Sequence, residues 1–196
     1  MAGPLLITGF GPFPGMPRNP TMVLAKRLAQ DLRFKRHGIA TALRLLPTEY
    51  AAVDAMIPAM VAELRPRAIL MFGVAGKRRH LSVEMRARNR LSILHPDAAG
   101  MRPERLALAP GQPFALRGRA NIAPFVVQIA RAGLPARASI GAGAYLCNYG
   151  YWRMLSASGD VPCLFIHVPA VRSRAMMTRL VDAGFGAAMA LLSAAG

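Results

Sequence analysis

The chain has 196 residues, of which 54% are hydrophobic and 17% charged. That is enough apolar material for one folded domain spanning 1–196, and it excludes disorder over most of its length. Its 25 basic against 9 acidic residues leave a formal charge of +16, a range in which nucleic-acid binding must be weighed. The basic residues are spread from Arg18 to Arg179 with no aromatic-interleaved basic stretch. The expectation is therefore no specific nucleic-acid partner, only salt-sensitive nonspecific adhesion.

The opening "MAGPLLITGF" carries no basic n-region or cleavage site, so no signal peptide is read. The apolar tract "GFGAAMALLSAAG" falls short of the roughly 18–20 residues of a membrane span. A cytoplasmic protein without a membrane partner is expected. Two cysteines, Cys147 and Cys163, are too few for a disulfide framework and match no zinc spacing, so reduced thiols are expected.

Strand-length hydrophobic runs alternate with helical patterns, the signature of an α/β fold with a mostly parallel central sheet. "PLLITGF" (4–10) reads as a strand buried on both faces, ending in the turn "GFGPFPG". Asn19 and Pro20 read as N-cap and first residue of a helix, with Leu24, Ala25, Leu28 and Leu32 on one face. A second strand over 39–46 stops at Pro47, and Thr48 is placed to cap a helix reaching Leu64, which Pro58 should bend or split. "RAILMFG" (67–73) is the next buried strand. "LSVEMRAR" (81–88) alternates strictly, which puts Glu84, Arg86 and Arg88 on one face of a strand. Residues 90–118 are loop-rich, with Pro96, Gly100, Pro103, Pro110 and Pro113 among them. Loops of that length are often functional. A helix over 119–132, a strand over 136–141, a helix from Cys147 to Leu155, a strand over 161–169 and a helix over 172–193 complete the chain.

The loop "GFGPFPG" is not a dinucleotide fingerprint, because Pro12, Pro14 and Pro17 delay the helix that would have to meet a pyrophosphate. No nucleotide cofactor is expected from this loop. Phe10 and Phe13 at a strand's carboxyl end are either apolar walls of a ligand site or ordinary core. The four histidines lie far apart, and on a strand His80 and Glu84 stand about 13 Å from each other, so no metal is expected.

Thiol chemistry is left. Cys147 follows the small-residue turn "GAGA" at the start of a helix, where unsatisfied amides and the dipole favour a thiolate. His167, at the carboxyl end of "CLFIHVP", can approach the same rim as a general base, with a carboxylate to hold its tautomer. Read locally, either residue is also compatible with a structural role. Cys163 sits inside a hydrophobic strand, as an inert core thiol does. It stands four residues from His167, about 13 Å along an extended chain, too far to form a dyad.

Taken together, "ITGFGPFPGMPRNP", "LLPTEY", "FGVAGKRRHLSVEMRARN", "HPDAAGMRP", "GLPARASIGAGAYLCNYGYW" and "FIHVP" resemble the pyroglutamyl peptidase I family of cysteine peptidases, over roughly residues 5–170. The resemblance implies an α/β/α sandwich, often an intracellular homotetramer, that cleaves the amide after an N-terminal pyroglutamate without a cofactor. It implies Cys147 as nucleophile, His167 as base, Glu84 as orienting acid, and Phe10 and Phe13 as walls for the lactam ring. The chain departs from the family's pattern at several places. Met85 replaces an arginine, Arg86 and Arg88 replace apolar residues, Lys77 replaces a glycine, and 104–123 shows little likeness. If Arg86 pairs with Glu84, it either favours the ionised carboxylate or draws it from His167. A relative that binds a peptide, lactam or acidic partner without turnover is the alternative.

Overall fold

The computed structural model describes residues 3–194 except Pro14 and Arg119; Arg119, the expected start of the fourth helix, and Pro14 in the glycine-proline turn lie outside the described residues. The elements run β1 (Leu5–Phe10), α1 (Pro20–Ala29), α2 (Leu32–Arg36), β2 (Thr41–Leu46), α3 (Tyr50–Leu64), β3 (Ala68–Val74), β4 (Leu81–Glu84), β5 (Arg86–Arg88), β6 (Ala115–Arg117), α4 (Ala123–Arg131), β7 (Ala136–Ser139), α5 (Leu146–Ser158), β8 (Cys163–Val168) and α6 (Arg174–Ser193).

Six strands form one sheet in the order β2-β1-β3-β8-β4-β7. Every neighbouring pair is parallel except β4 with β8. Alternation along each strand sends side chains to two cores. Leu5, Ile7, Leu70, Phe72, Leu164 and Ile166 pack with α1, α4 and α6 on one face. Leu6, Ile69, Met71, Cys163 and Phe165 pack with α3 and α5 on the other. The result is the expected three-layer α/β/α sandwich. Each large side chain buried this fully removes enough apolar surface to contribute about 1.5–3 kcal/mol before entropy is counted.

Asn19 caps α1 as expected, its side chain accepting from the Thr21 amide. The Thr21 hydroxyl in turn accepts the Phe10 N–H at 3.1 Å, tying the helix start to the end of β1. Their crossing requires glycine at position 9, where any Cβ would collide with the Thr21 carbonyl oxygen.

Several expectations are corrected. Leu32 is 66% exposed, because α1 ends at Ala29 and Asp31 caps a separate α2. Thr48 does not cap α3. Its hydroxyl donates to the Pro12 carbonyl at 2.9 Å, and the Tyr50 amide is capped from a distant loop by Asp97 Oδ2 at 2.9 Å. Pro58 does not split α3, which runs unbroken over 15 residues. "LSVEMRAR" is not one strand. It leaves the main sheet at Met85, whose N–H bonds the Ser139 carbonyl, and β5 then joins β6 in a separate antiparallel ribbon. Helix α6, at 20 residues, is longer than the apolar tract suggested, and by length and composition it reaches what a membrane span requires. Its buried stripe of Leu180, Ala183, Ala187 and Leu191 lies in the sheet's first core.

Asp97 ties the loop 90–118 to the fold, accepting the amides of Ala99 and Met101 as well as Tyr50 while 4% exposed. Asp97→Ala strands those donors, and urea unfolding should show a loss of about 2 kcal/mol. An unchanged midpoint would show that the loop's ties are dispensable.

Candidate active site

Cys147 is the second residue of α5. The helix has no side-chain cap at Tyr145, and its first turn closes with the Tyr149 N–H donating to the Tyr145 carbonyl. The amides of Leu146, Cys147 and Asn148 precede that bond and are the orphan donors of a helix start. The sulfur stands over the carboxyl end of β3. A Cβ built on Gly73 would lie 3.0 Å from Cys147 Sγ and 2.7 Å from Phe165 Cζ, so only glycine leaves room for the thiol there. Asn148, fully buried, fixes the helix start to the ribbon: its side chain accepts the Arg88 N–H and donates to the carbonyls of Arg88 and Arg90.

His167 and Glu84 meet through the antiparallel pairing of β8 with β4. Ser82 stands opposite His167 and Glu84 opposite Phe165, making His167 and Glu84 diagonal neighbours on one sheet face. His167 Nδ1 lies 2.8 Å from Glu84 Oε1. Arg78 Nη1 donates to the same oxygen, also at 2.8 Å. The carboxylate is fully buried and Arg78 is only partly so, so Arg78 links a buried charge to the surface. Burial opposes ionisation of Glu84, but His167, then Ser139 and Arg78, outweigh it and hold the carboxyl below its ordinary pKa. The other carboxylate oxygen, Oε2, makes no hydrogen bond among the described residues.

The imidazole is 4% exposed. Burial alone would favour its neutral form, yet the neighbouring Cys147 sulfur and the bond to Glu84 reverse this and raise its pKa to about 9. With Nδ1 engaged by Glu84, Nε2 is the nitrogen left to face the sulfur.

An apolar cavity of about 90 Å³ ends at Cys147, lined also by Phe10, Phe13, Asn19, Thr48, Val74, Tyr145 and Leu146. Polar ties outside it hold its walls. Asn19 Nδ2 donates to the Gly11 carbonyl at 3.0 Å, Thr48 holds Pro12, and the Tyr145 hydroxyl donates to the Pro96 carbonyl at 2.7 Å. A larger open groove of about 590 Å³ runs between Tyr50, Tyr149 and Arg102. No thiol or imidazole lines it, so the smaller cavity is the one joined to reactive groups.

All five residues singled out in the sequence thus lie in one region: His167 bonded to Glu84 and interacting with Cys147, with Cys147, Phe10 and Phe13 on the adjoining cavity. Cys163 is 1% exposed, with its sulfur 3.8 Å from that of Met71 and its pKa pushed far up by burial. The anticipated partner of Glu84 is corrected. Arg86 does not pair with it; its Nε donates to the Ile140 carbonyl at 2.7 Å, and its guanidinium lies 5.8 Å from the Phe114 ring centroid. The arginine that does pair, Arg78, sits in the run "KRRH", where three adjacent cations gave no sign of which turns inward. Asn148 and Gly73 were equally unmarked.

A thiol, imidazole and carboxylate in succession at the carboxyl rim of an α/β sheet, beside a small apolar cavity, are the equipment of a cysteine hydrolase. Residues 4–191 match the family model for pyroglutamyl peptidase. The chain is 33% identical to the pyrrolidone-carboxylate peptidase of Gloeobacter violaceus, covering 88% of this chain and 84% of that one. It is 35% identical to that of Cupriavidus necator, covering 87% and 80%. Among solved structures, it superposes on a mutant pyrrolidone carboxyl peptidase of Pyrococcus furiosus with a TM-score of 0.87 and 26% identity, covering 98% of this chain and 99% of that one. The enzyme from Thermus thermophilus gives 0.77 and 31%, covering 90% and 97%. The chain belongs to the pyroglutamyl peptidase family of cysteine peptidases.

Gly73→Ala tests the packing beneath the sulfur. The added methyl has to displace Cys147 or Phe165, and alkylation of Cys147 by iodoacetamide should change about tenfold or more while the circular dichroism stays native. An unaltered rate would mean that the thiol's position does not depend on Gly73.

Proposed function

We propose that this enzyme hydrolyses the amide bond following an N-terminal pyroglutamyl residue of peptides, with Cys147, His167 and Glu84 as its triad. The observation that carries this reading is the cavity that ends at Cys147. Among the described residues its walls contain no charged side chain other than the reacting sulfur, so an N-terminal ammonium would lose its hydration there without a carboxylate partner, whereas an uncharged lactam would not. Phe10 and Phe13 provide faces for the flat ring, and neutral polar groups such as Asn19 and Thr48 lie along the same walls.

The Cys147 thiolate attacks the pyroglutamyl carbonyl carbon, forming the C–S bond and placing the electron pair on oxygen. The amides at the start of α5 are the donors available to that oxyanion. Collapse breaks the C–N bond, and His167 delivers its proton to the departing amine. Water, deprotonated by His167, then attacks the thioester, releasing pyroglutamate and restoring the sulfur. Glu84 accepts the Nδ1–H throughout, keeping Nε2 directed at the reaction. Arg78 keeps Glu84 ionised without touching substrate.

A nucleophilic thiol has to stay reduced, and both cysteines are free, which supports a cytoplasmic setting. Exposed Phe114, Met85 and Ile140 around the β5–β6 ribbon support self-association, by family resemblance as a homotetramer.

A fluorogenic pyroglutamyl amide should be cleaved by the wild type, while Cys147→Ala reduces the rate to background and Glu84→Gln lowers kcat by about 10²- to 10⁴-fold. Release of fluorophore by Cys147→Ala at the wild-type rate would refute the mechanism. In the pH profile the charged imidazole, favoured below about 9, is lost as pH rises through that value, so kcat/KM should fall on its alkaline side. The stability contributed by this charge has the same sign: full below the unfolded value of 6.5 and gone above about 9. A rate still climbing beyond that pH would mean that His167 does not supply the proton.

A further inference from the structure

We propose that the rim on the leaving-group side of Cys147 selects peptides presenting a carboxylate just after the pyroglutamyl residue, with Lys77, Arg79 and Arg172 as the specificity-determining cations. This rests on the peptidase reading above and extends it to the part of the substrate outside the lactam cavity.

The direction of the substrate follows from the order of the sheet. The cavity lies over the ends of β1 and β3, with Phe10, Phe13 and Val74. His167 is on β8, one strand further across. The amine that accepts the imidazole's proton therefore leaves over β8, and the rest of the peptide extends past the loops that follow β3 and β8. These two loops are held side by side. Val74 pairs with Val168 in register, the Ala75 N–H donates to the Val168 carbonyl at 2.8 Å, and the Arg78 N–H closes a turn onto Ala75. The first loop brings Lys77, Arg78 and Arg79; the second brings Arg172.

Arg78 is taken up by Glu84. Lys77, Arg79 and Arg172 are exposed and make no ion pair among the described residues. Six of the nine acidic residues are engaged with other groups. Asp31 and Asp182 hold Arg33, Glu63 holds Arg44 and Asp54 holds Arg153, while Asp97 caps α3. Glu84, which bonds His167 and Arg78, is buried and doubly paired. The loops that border the path of the leaving peptide therefore carry three exposed cations, whose field is screened over about 10 Å at 0.1 M salt.

The test compares pyroglutamyl-glutamate, -glutamine and -lysine as C-terminal amides, which lack the α-carboxylate, together with pyroglutamyl-glutamine as the free acid. At about 0.01 M salt, kcat/KM should be about fivefold to tenfold higher for the glutamate amide than for the glutamine amide and lower for the lysine amide. The differences should shrink to within about twofold near 1 M. Combined Lys77→Glu, Arg79→Glu and Arg172→Glu should reverse the order, as should Arg79→Glu and Arg172→Glu without the change at 77. Each readout is a ratio within one preparation, so loss of folded enzyme cancels. A free acid faster than its amide supports the same cations acting on an α-carboxylate. Equal rates for all four peptides at low salt overturn the proposal while leaving the peptidase reading intact. No cleavage of any pyroglutamyl peptide would overturn that reading itself.

Discussion

A buried carboxylate between an imidazole and an arginine organises this molecule. Glu84 is wholly removed from water, and an isolated carboxylate there would neutralise itself or unfold its surroundings. It stays charged because His167 and Arg78 share its Oε1. That one oxygen ties three segments together: β4, the antiparallel intruder in an otherwise parallel sheet; β8 at the sheet's centre; and the loop leaving β3. The same tie raises the affinity of His167 for its proton. The polar interaction that fixes the fold at this point thus also sets the acid–base chemistry proposed for the thiol.

Around this centre the molecule separates charge from apolar surface. The cavity beside Cys147 is apolar, and the groups that satisfy its backbone, Asn19, Thr21 and Thr48, bond outward to loop carbonyls and amides. Cations gather instead on the loops after β3 and β8, while most carboxylates are engaged elsewhere in ion pairs or caps. The surplus of positive charge is therefore not uniform in consequence. Over most of the surface it is solvated, and along the rim next to His167 it faces the path that a departing peptide would take.

The break of "LSVEMRAR" at Met85 shows where pattern reading stops. The alternation is real, but a strand's period says nothing about which sheet each half joins, and that depends on partners far along the chain. Met85 is held by Ser139, Arg86 by Ile140, and Arg88 by Asn148 through its backbone. These partners lie about 50 to 60 residues away in sequence, so Arg86 and Arg88 leave the face of Glu84 that a continuous strand would have given them. The capping of α3 by Asp97 was hidden for the same reason, since local rules look for caps at the preceding residue.

The main alternation of strands and helices, the Asn19 cap, the helix-start position of Cys147 and the buried one of Cys163 were legible in the chain. Each follows from hydrophobic period, turn residues or local helix-end chemistry, which act over a few neighbours. The choice of Arg78 over Arg86, the glycine cleared beneath the sulfur and the meeting of His167 with Glu84 were decided only in three dimensions. They depend on strand order and register, which are set by the summed packing of distant segments and leave no mark on any one of them.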